Sequence, residues 1–219
     1  MNFRLLQLAS PALPVGAYSY SQGLESAIES GVVTGAPSAQ QWIGDVLELS
    51  LARMEGPILL RLLTAWKAGD DTAVARWNDD FIASRETAEL RAETLQMGYS
   101  LKNLLRDLRV DGFERLDTLD DPAYPAAFAF AVAAWGLDAR EALSAYLFAW
   151  IENQVMAAIK AVPLGQTQGQ RMLGEIAQRI EGLVERACLA GDDDLSNFAP
   201  GLALASARHE TQYSRIFRS

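Results

Sequence analysis

The segment DAREALSAYLFAWIENQVMAAIKA, Asp138 to Ala161, decides the fold. Ala142, Leu143, the run Ala145 to Ile151, then Val155 to Ile159 and Ala161 leave almost no polar face. A helix that is apolar all round is a buried helix. Its ends are marked: Asp138 with Glu141 three residues on has the form of a capping box, and Pro163 forbids continuation. A membrane span is the alternative, but it would set Glu152-Asn153-Gln154 near mid-bilayer, where a charged group costs roughly a few kcal/mol. The pattern therefore predicts a buried central helix over 139–161.

Working outward, Ala126 to Trp135 is a second apolar helix, closed by Gly136. Ser84 offers an N-cap for a helix over about Arg85 to Arg109 that carries Leu90, Met97, Leu101, Leu104, Leu105 and Leu108 on one side. Its early Glu86, Glu89 and Glu93 and late Lys102, Arg106 and Arg109 complement the helix macrodipole. Asp71 is placed to cap a helix bearing Val74, Trp77, Phe81 and Ile82. Ser38 with Gln41 opens a helix that Gly56-Pro57 should break or kink before Ile58 to Trp66 resumes. Thr167 with Gln170 opens another, running to about Cys188, and Gly191-Asp192-Asp193-Asp194 reads as a solvated turn. No alternating β-branched run and no fixed-period repeat occurs. The expected fold is all-α: a single-domain bundle of about eight to ten helices over 1–204, followed by a tail, 205–219, flexible when unbound and free to meet a partner.

Composition excludes several functions. A formal charge of −9 with only three lysines does not suit phosphate neutralisation, so nucleic acid is not expected as a partner. The single cysteine, Cys188, cannot pair internally, and Met1-Asn2-Phe3-Arg4 does not begin a secretory leader, so a cytoplasmic protein is expected. Catalytic groups are scarce. A Ser/His or Cys/His site would need the only histidine, His209, which lies in an Arg-rich tail where no core is expected to orient it. Ser19, between Tyr18 and Tyr20, is not in a Gly-x-Ser-x-Gly elbow. One His and one Cys are too few for a zinc or nickel site, Asp192 to Asp194 lacks the spacing of a calcium loop, and no Gly-Lys-Ser/Thr sequence is present. Carboxylate pairs such as Glu25/Glu29 are ordinary on exposed helix faces. What remains is an adaptor, or alternatively a small-ligand protein or enzyme with a pocket near Trp135 and Trp150.

Three stretches are more particular than scaffold requires. Leu5 to Glu25 concentrates turn formers and aromatics; Lys160 to Gln170 sets a lysine before a loop with Gln166, Gln168 and Gln170. The tail Arg208 to Ser219 has a charge of +2, three Arg less one Glu, opposite to the acidic body, and Tyr, Arg and Phe are common interface anchors.

These stretches resemble the UreF family of urease accessory proteins. The likeness runs through LLQLASPALPVG (Leu5–Gly16), YSQGLE (Tyr20–Glu25), SRET (Ser84–Thr87) with Met97-Gly98, VPLGQT (Val162–Thr167) with Gly169-Gln170, and HETQYSR (His209–Arg215) with Phe217-Arg218-Ser219. Departures are small: Tyr18 where Phe is also usual, Ile216 where Leu is. The resemblance implies a homodimeric all-α protein without cofactor or catalysis. It would bind a UreD/UreH-type scaffold and the GTPase UreG in the complex that delivers nickel to apo-urease. By the same resemblance His209, Tyr213, Arg215, Phe217, Arg218 and Ser219 would form the scaffold-binding element. Tyr20, Glu25, Lys160, Gln166 and Gln170 would contribute to the GTPase-facing surface, with modulation of GTP hydrolysis left open.

Overall fold

The computed structural model describes residues 2–219; Met1, the first residue of the start discussed above, lies outside them. Its helices are α1 (Phe3–Leu8), α2 (Leu24–Glu29), α3 (Ala36–Val46), α4 (Gly56–Ala68), α5 (Asp71–Ala83), α6 (Ala88–Asp107) and α7 (Phe113–Asp117). They continue as α8 (Tyr124–Ala134), α9 (Ala139–Ala161), α10 (Gln166–Ala177), α11 (Ile180–Leu189) and α12 (Pro200–His209), with no strand among the described residues. The fold is all-α, and α9 has the expected bounds, with Asp138 accepting the Glu141 N–H at 2.9 Å.

α9 divides the interior. Its Ala142 and Tyr146 belong to one apolar core, built mainly from α4, α5, α6 and α8. Its Leu143, Leu147, Ile151, Val155 and Ala158 belong to a second, shared with α2, α3, α10, α11 and α12. Phe148 and Met156 reach the surface, so α8, buried from Pro125 to Val132, is the more completely enclosed helix. Asn78 fixes its start: the side chain accepts the Ala123 N–H at 2.8 Å and donates to the Asp121 carbonyl at 3.1 Å.

Gly56-Pro57 does not break the chain. α3 and α4 are joined by a π-helical stretch, Leu47–Glu55, into one continuous rod. Pro57 lacks an N–H and its ring would crowd the carbonyl four residues back. The wider turn admits it, and the freed Arg53 carbonyl accepts the Ser196 N–H at 3.2 Å.

Several helix starts also differ from expectation. Gly35 and Gly165 stand at the N-caps of α3 and α10, and Ser38 and Gln168 reach back to the glycine N–H groups. Thr87, not Ser84, caps α6, and Asp70, not Asp71, caps α5. The stretch expected as one helix to Cys188 is two, α10 and α11. Ser38, Asp71, Ser84 and Thr167 each lie within one turn of the true cap, and polar residues so close to a helix mouth look alike in sequence.

Contact between α6 and the strand-like approach to α8 depends on Gly98. A Cβ there would collide with the Pro122 carbonyl oxygen. Gly98→Ala should therefore displace backbone and destabilise the fold by about 1–3 kcal/mol or more in urea unfolding. Gly174→Ala on α10, where a Cβ meets nothing within 4 Å, should instead stabilise by up to about 1 kcal/mol.

Candidate functional site

α2 and α6 together place three carboxylates inside the protein. Gln22 and Gly23 both have positive φ, 49° and 75°, and turn the chain sharply into α2. A Cβ on Gly23 would press on Ala205 at 3.1 Å, so glycine lets α2 lie against α12. Glu25 then points inward from α2, while Glu89 and Glu93, one turn apart, point toward it from α6.

The chain's last residues fill this socket. Glu25 accepts the backbone N–H groups of Ile216 at 2.7 Å and Phe217 at 2.9 Å. Its Oε2 also lies 3.2 Å from His209 Nε2, and Glu89 Oε2 lies 2.7 Å from Nδ1 of the same ring. Glu89 Oε1 accepts from Arg215 at 2.8 Å. The Ser219 hydroxyl donates to Glu93 at 2.8 Å, and its carbonyl accepts from the N–H of Ser21 at 2.8 Å and its hydroxyl at 2.6 Å. The Arg218 N–H donates to the Ser19 carbonyl at 2.8 Å.

This arrangement differs from a detached tail. The expected boundary at 204/205 falls inside α12, and residues 210–219 are laid over α2 and α6. His209, expected to lack a core, is fully buried with a carboxylate beside each ring nitrogen. The physical reason is charge. A carboxylate removed from water without donors costs several kcal/mol, and the tail supplies those donors.

The residues expected to face partners divide accordingly. His209, Phe217 and Ser219 turn inward, whereas Tyr213, Arg215 and Arg218 are exposed. Of the second set, Tyr20 and Glu25 are buried beneath the tail, while Lys160, Gln166 and Gln170 are exposed. The structure brings the two sets together beneath the tail, where Glu25 meets His209 and Phe217, and at its edge, where Lys160 Nζ lies 5.9 Å from the Phe217 ring centroid and 5.8 Å from that of Tyr18. The sequence reading missed Glu89, Glu93, Gln22 and Ser21 as parts of this joint. The signal was present in the opposite charges of body and tail, but the early glutamates of α6 were accounted for by the macrodipole alone.

A cavity of about 70 Å³ adjoins the socket, lined by Gln22, Glu55, Phe81, Arg85, Glu93, Tyr124, Tyr146, Trp150 and Asn153 among others. The π-helical stretch delivers Glu55, which hydrogen-bonds the Tyr146 hydroxyl and pairs with Arg85 at 3.5 Å. Trp150 Nε1 donates to Gln22 at 2.8 Å and Gln22 donates to Glu93 at 2.7 Å, so a chain of polar contacts runs from α9 to Ser219. Trp150 thus lines this cavity and Trp135 does not; the latter packs under the Arg4 guanidinium, 4.7 Å from the ring centroid. Burial pushes the Tyr124 and Tyr146 hydroxyls above their usual range, with Glu55 adding to it. Among the described residues no group of three or more His, Cys, Asp or Glu is placed to hold a metal ion.

Comparison with known proteins gives consistent matches. A family model described as UreF matches residues 33–177. A urease accessory protein UreF from Azoarcus sp. (strain BH72) is 62% identical, covering 99% of this chain and 94% of its own. Proteins of the same name from Dechloromonas aromatica (strain RCB) and Methylobacillus flagellatus are each 52% identical, covering 99% of this chain and 96% of theirs.

Glu93 gives the site a pH dependence. Burial, against the lowering pull of the Gln22 and Ser219 hydrogen bonds and with smaller opposing effects of Glu55 and Arg85, leaves its carboxyl pushed up to about 7. Folded protein therefore holds a proton that the unfolded chain, with an ordinary value of 4.5, releases. This contribution to stability is fully present below about pH 4.5 and is lost as pH rises through about 7, a change of about 3 kcal/mol. Urea unfolding from pH 5 to 8 should show this decline in the native sequence, and Glu93→Gln should flatten it.

Proposed function

Because the chain belongs to the UreF family of urease accessory proteins, we propose that it is a non-catalytic adaptor. It joins a UreD/UreH-type scaffold and the GTPase UreG so that nickel reaches apo-urease, and it does so as a cytoplasmic homodimer. The single observation that carries this reading is the surface formed where the docked tail meets α9. Tyr213 and Ile216 stand out from the tail, Tyr18 from the first loop, and Lys160 lies against Tyr18 and Phe217. Exposed aromatics and aliphatics beside cations suit a protein partner with an apolar, acidic face. In this reading His209, Glu25, Tyr20, Phe217 and Ser219 position the surface from beneath, while Tyr213, Arg215, Arg218, Lys160, Gln166 and Gln170 make contact.

The absence of a catalytic role is supported by the state of the one histidine, since both its ring nitrogens are engaged by carboxylates and neither is free to take a proton from a nucleophile. Among the described residues no helix is long and apolar enough to cross a membrane.

The pair Tyr213→Ala and Ile216→Ala removes exposed side chains without touching the socket. It should leave circular dichroism unchanged and lower co-purification of the scaffold at least tenfold. Lys160→Ala should weaken retention of the GTPase by the scaffold-bound complex. Undiminished capture of both partners by both variants would defeat this assignment of surfaces. Size-exclusion chromatography with light scattering tests the dimer.

A further inference from the structure

The cavity beside Glu55 and Glu93 is not used by the adaptor reading, and its wall is unusual. Four aromatic rings, Phe81, Tyr124, Tyr146 and Trp150, share it with two carboxylates, one guanidinium and the amides of Gln22 and Asn153. Two local departures from regular backbone build it. The π-helical stretch ends on Glu55, and Gln22 is held at φ 49°, a region that a side chain such as glutamine adopts at a cost of about 1 kcal/mol or more. Both features recur where a site is being shaped, and here both deliver polar groups to the same small space.

The charges do not balance. Arg85 pairs with Glu55 at 3.5 Å, and among the described residues no salt bridge is made to Glu93, whose oxygens accept only from the neutral Gln22 and Ser219. The tyrosine hydroxyls of Tyr20, Tyr124 and Tyr146, which face this pair of carboxylates, are all shifted toward the neutral form. With Glu93 ionised, the cavity therefore carries one uncompensated negative charge. A divalent metal is disfavoured, since among the described residues no three His, Cys, Asp or Glu side chains are grouped to hold one. A cation with N–H donors is favoured by the carboxylate beside an aromatic wall, since ring faces attract ammonium groups once water is excluded.

We propose that this cavity is a binding site for a small monovalent ammonium-type cation, ammonium itself or a methylamine, held between the Glu93 carboxylate and the rings of Tyr124, Tyr146, Phe81 and Trp150. The volume of about 70 Å³ admits one or two non-hydrogen atoms with accompanying water and excludes larger amines. So small a guest binds weakly: the limit on binding energy per atom puts half-saturation at about 10 mM or above. Affinity should increase from pH 5.5 to 8 as Glu93 loses its proton near pH 7, because the carboxylic acid offers no charge to the cation.

The test is thermal unfolding of the full chain at pH 8 in rising ammonium chloride against equal sodium chloride and tetramethylammonium chloride. Ammonium should raise Tm by about 3 °C over sodium at tenfold its half-saturating concentration, saturably, whereas tetramethylammonium should not. The difference should disappear in Glu93→Gln, which keeps a hydrogen-bonding side chain, and in Ala149→Leu, since Ala149 also lines the cavity and the larger side chain fills it without removing an ionisable group. Circular dichroism establishes that each variant is folded, and if Glu93→Gln is not, Ala149→Leu decides. Equal shifts in ammonium and sodium, or an ammonium shift retained in a folded variant, would overturn the site.

Discussion

The carboxylate of Glu25 is the joint on which the architecture closes. It is buried, and it accepts two backbone N–H groups and approaches an imidazole, all supplied from positions more than 180 residues away. A charge taken out of water is tolerated only when donors surround it, so the position of α2 and the position of the tail are a single condition rather than two. Glu89 and Glu93 extend that condition to α6. The tail is consequently part of the folded body, although its sequence composition is that of an interface.

This joint also decides what the surface can present. Tyr213 faces out, and over residues 216–219 the chain alternates: Phe217 and Ser219 are buried while Ile216 and Arg218 face out. The inward contacts fix the register in which the outward ones are displayed, so the proposed contact residues are ordered before any partner arrives and bear less entropic cost on binding. Lys160 contributes from the end of α9, the helix that separates the two cores, which gives the surface a rigid base.

Much of the fold was legible because apolar periodicity is a local signal. Asp138 and Pro163 bracket α9 as expected, and the long α6 and apolar α8 follow from spacing alone. The joint was not legible because it is made by pairs such as Glu25–Phe217 and Glu93–Ser219, whose partners share no local pattern. Glu89 and Glu93 look like solvated residues at a helix start, and only tertiary proximity turns them inward. His209 was misjudged for the same reason: a short polar stretch looks unsupported until the carboxylates that hold it are in place. The π-helical passage through Gly56-Pro57 was hidden differently, since its compensation comes from Ser196, far along the chain. The motifs marking the family resemblance, by contrast, include several of the residues that the joint uses, among them Ser21, Gln22, Glu25, His209 and Ser219.

The separation of the two halves of this joint has a consequence for biosynthesis. Ser21 and Ser219 are 198 positions apart, and Glu25 and Phe217 are 192 apart. At about 5–20 residues per second, the ribosome exposes Glu25 on the order of 10 s or more before its donors exist. During that interval the helices of both cores can form, but the carboxylates must stay hydrated and α2 cannot settle against α12. The nascent protein should thus pass through a species with an open acidic seam until residues 209–219 have been made and can reach it, and that species is the one a holding chaperone would encounter.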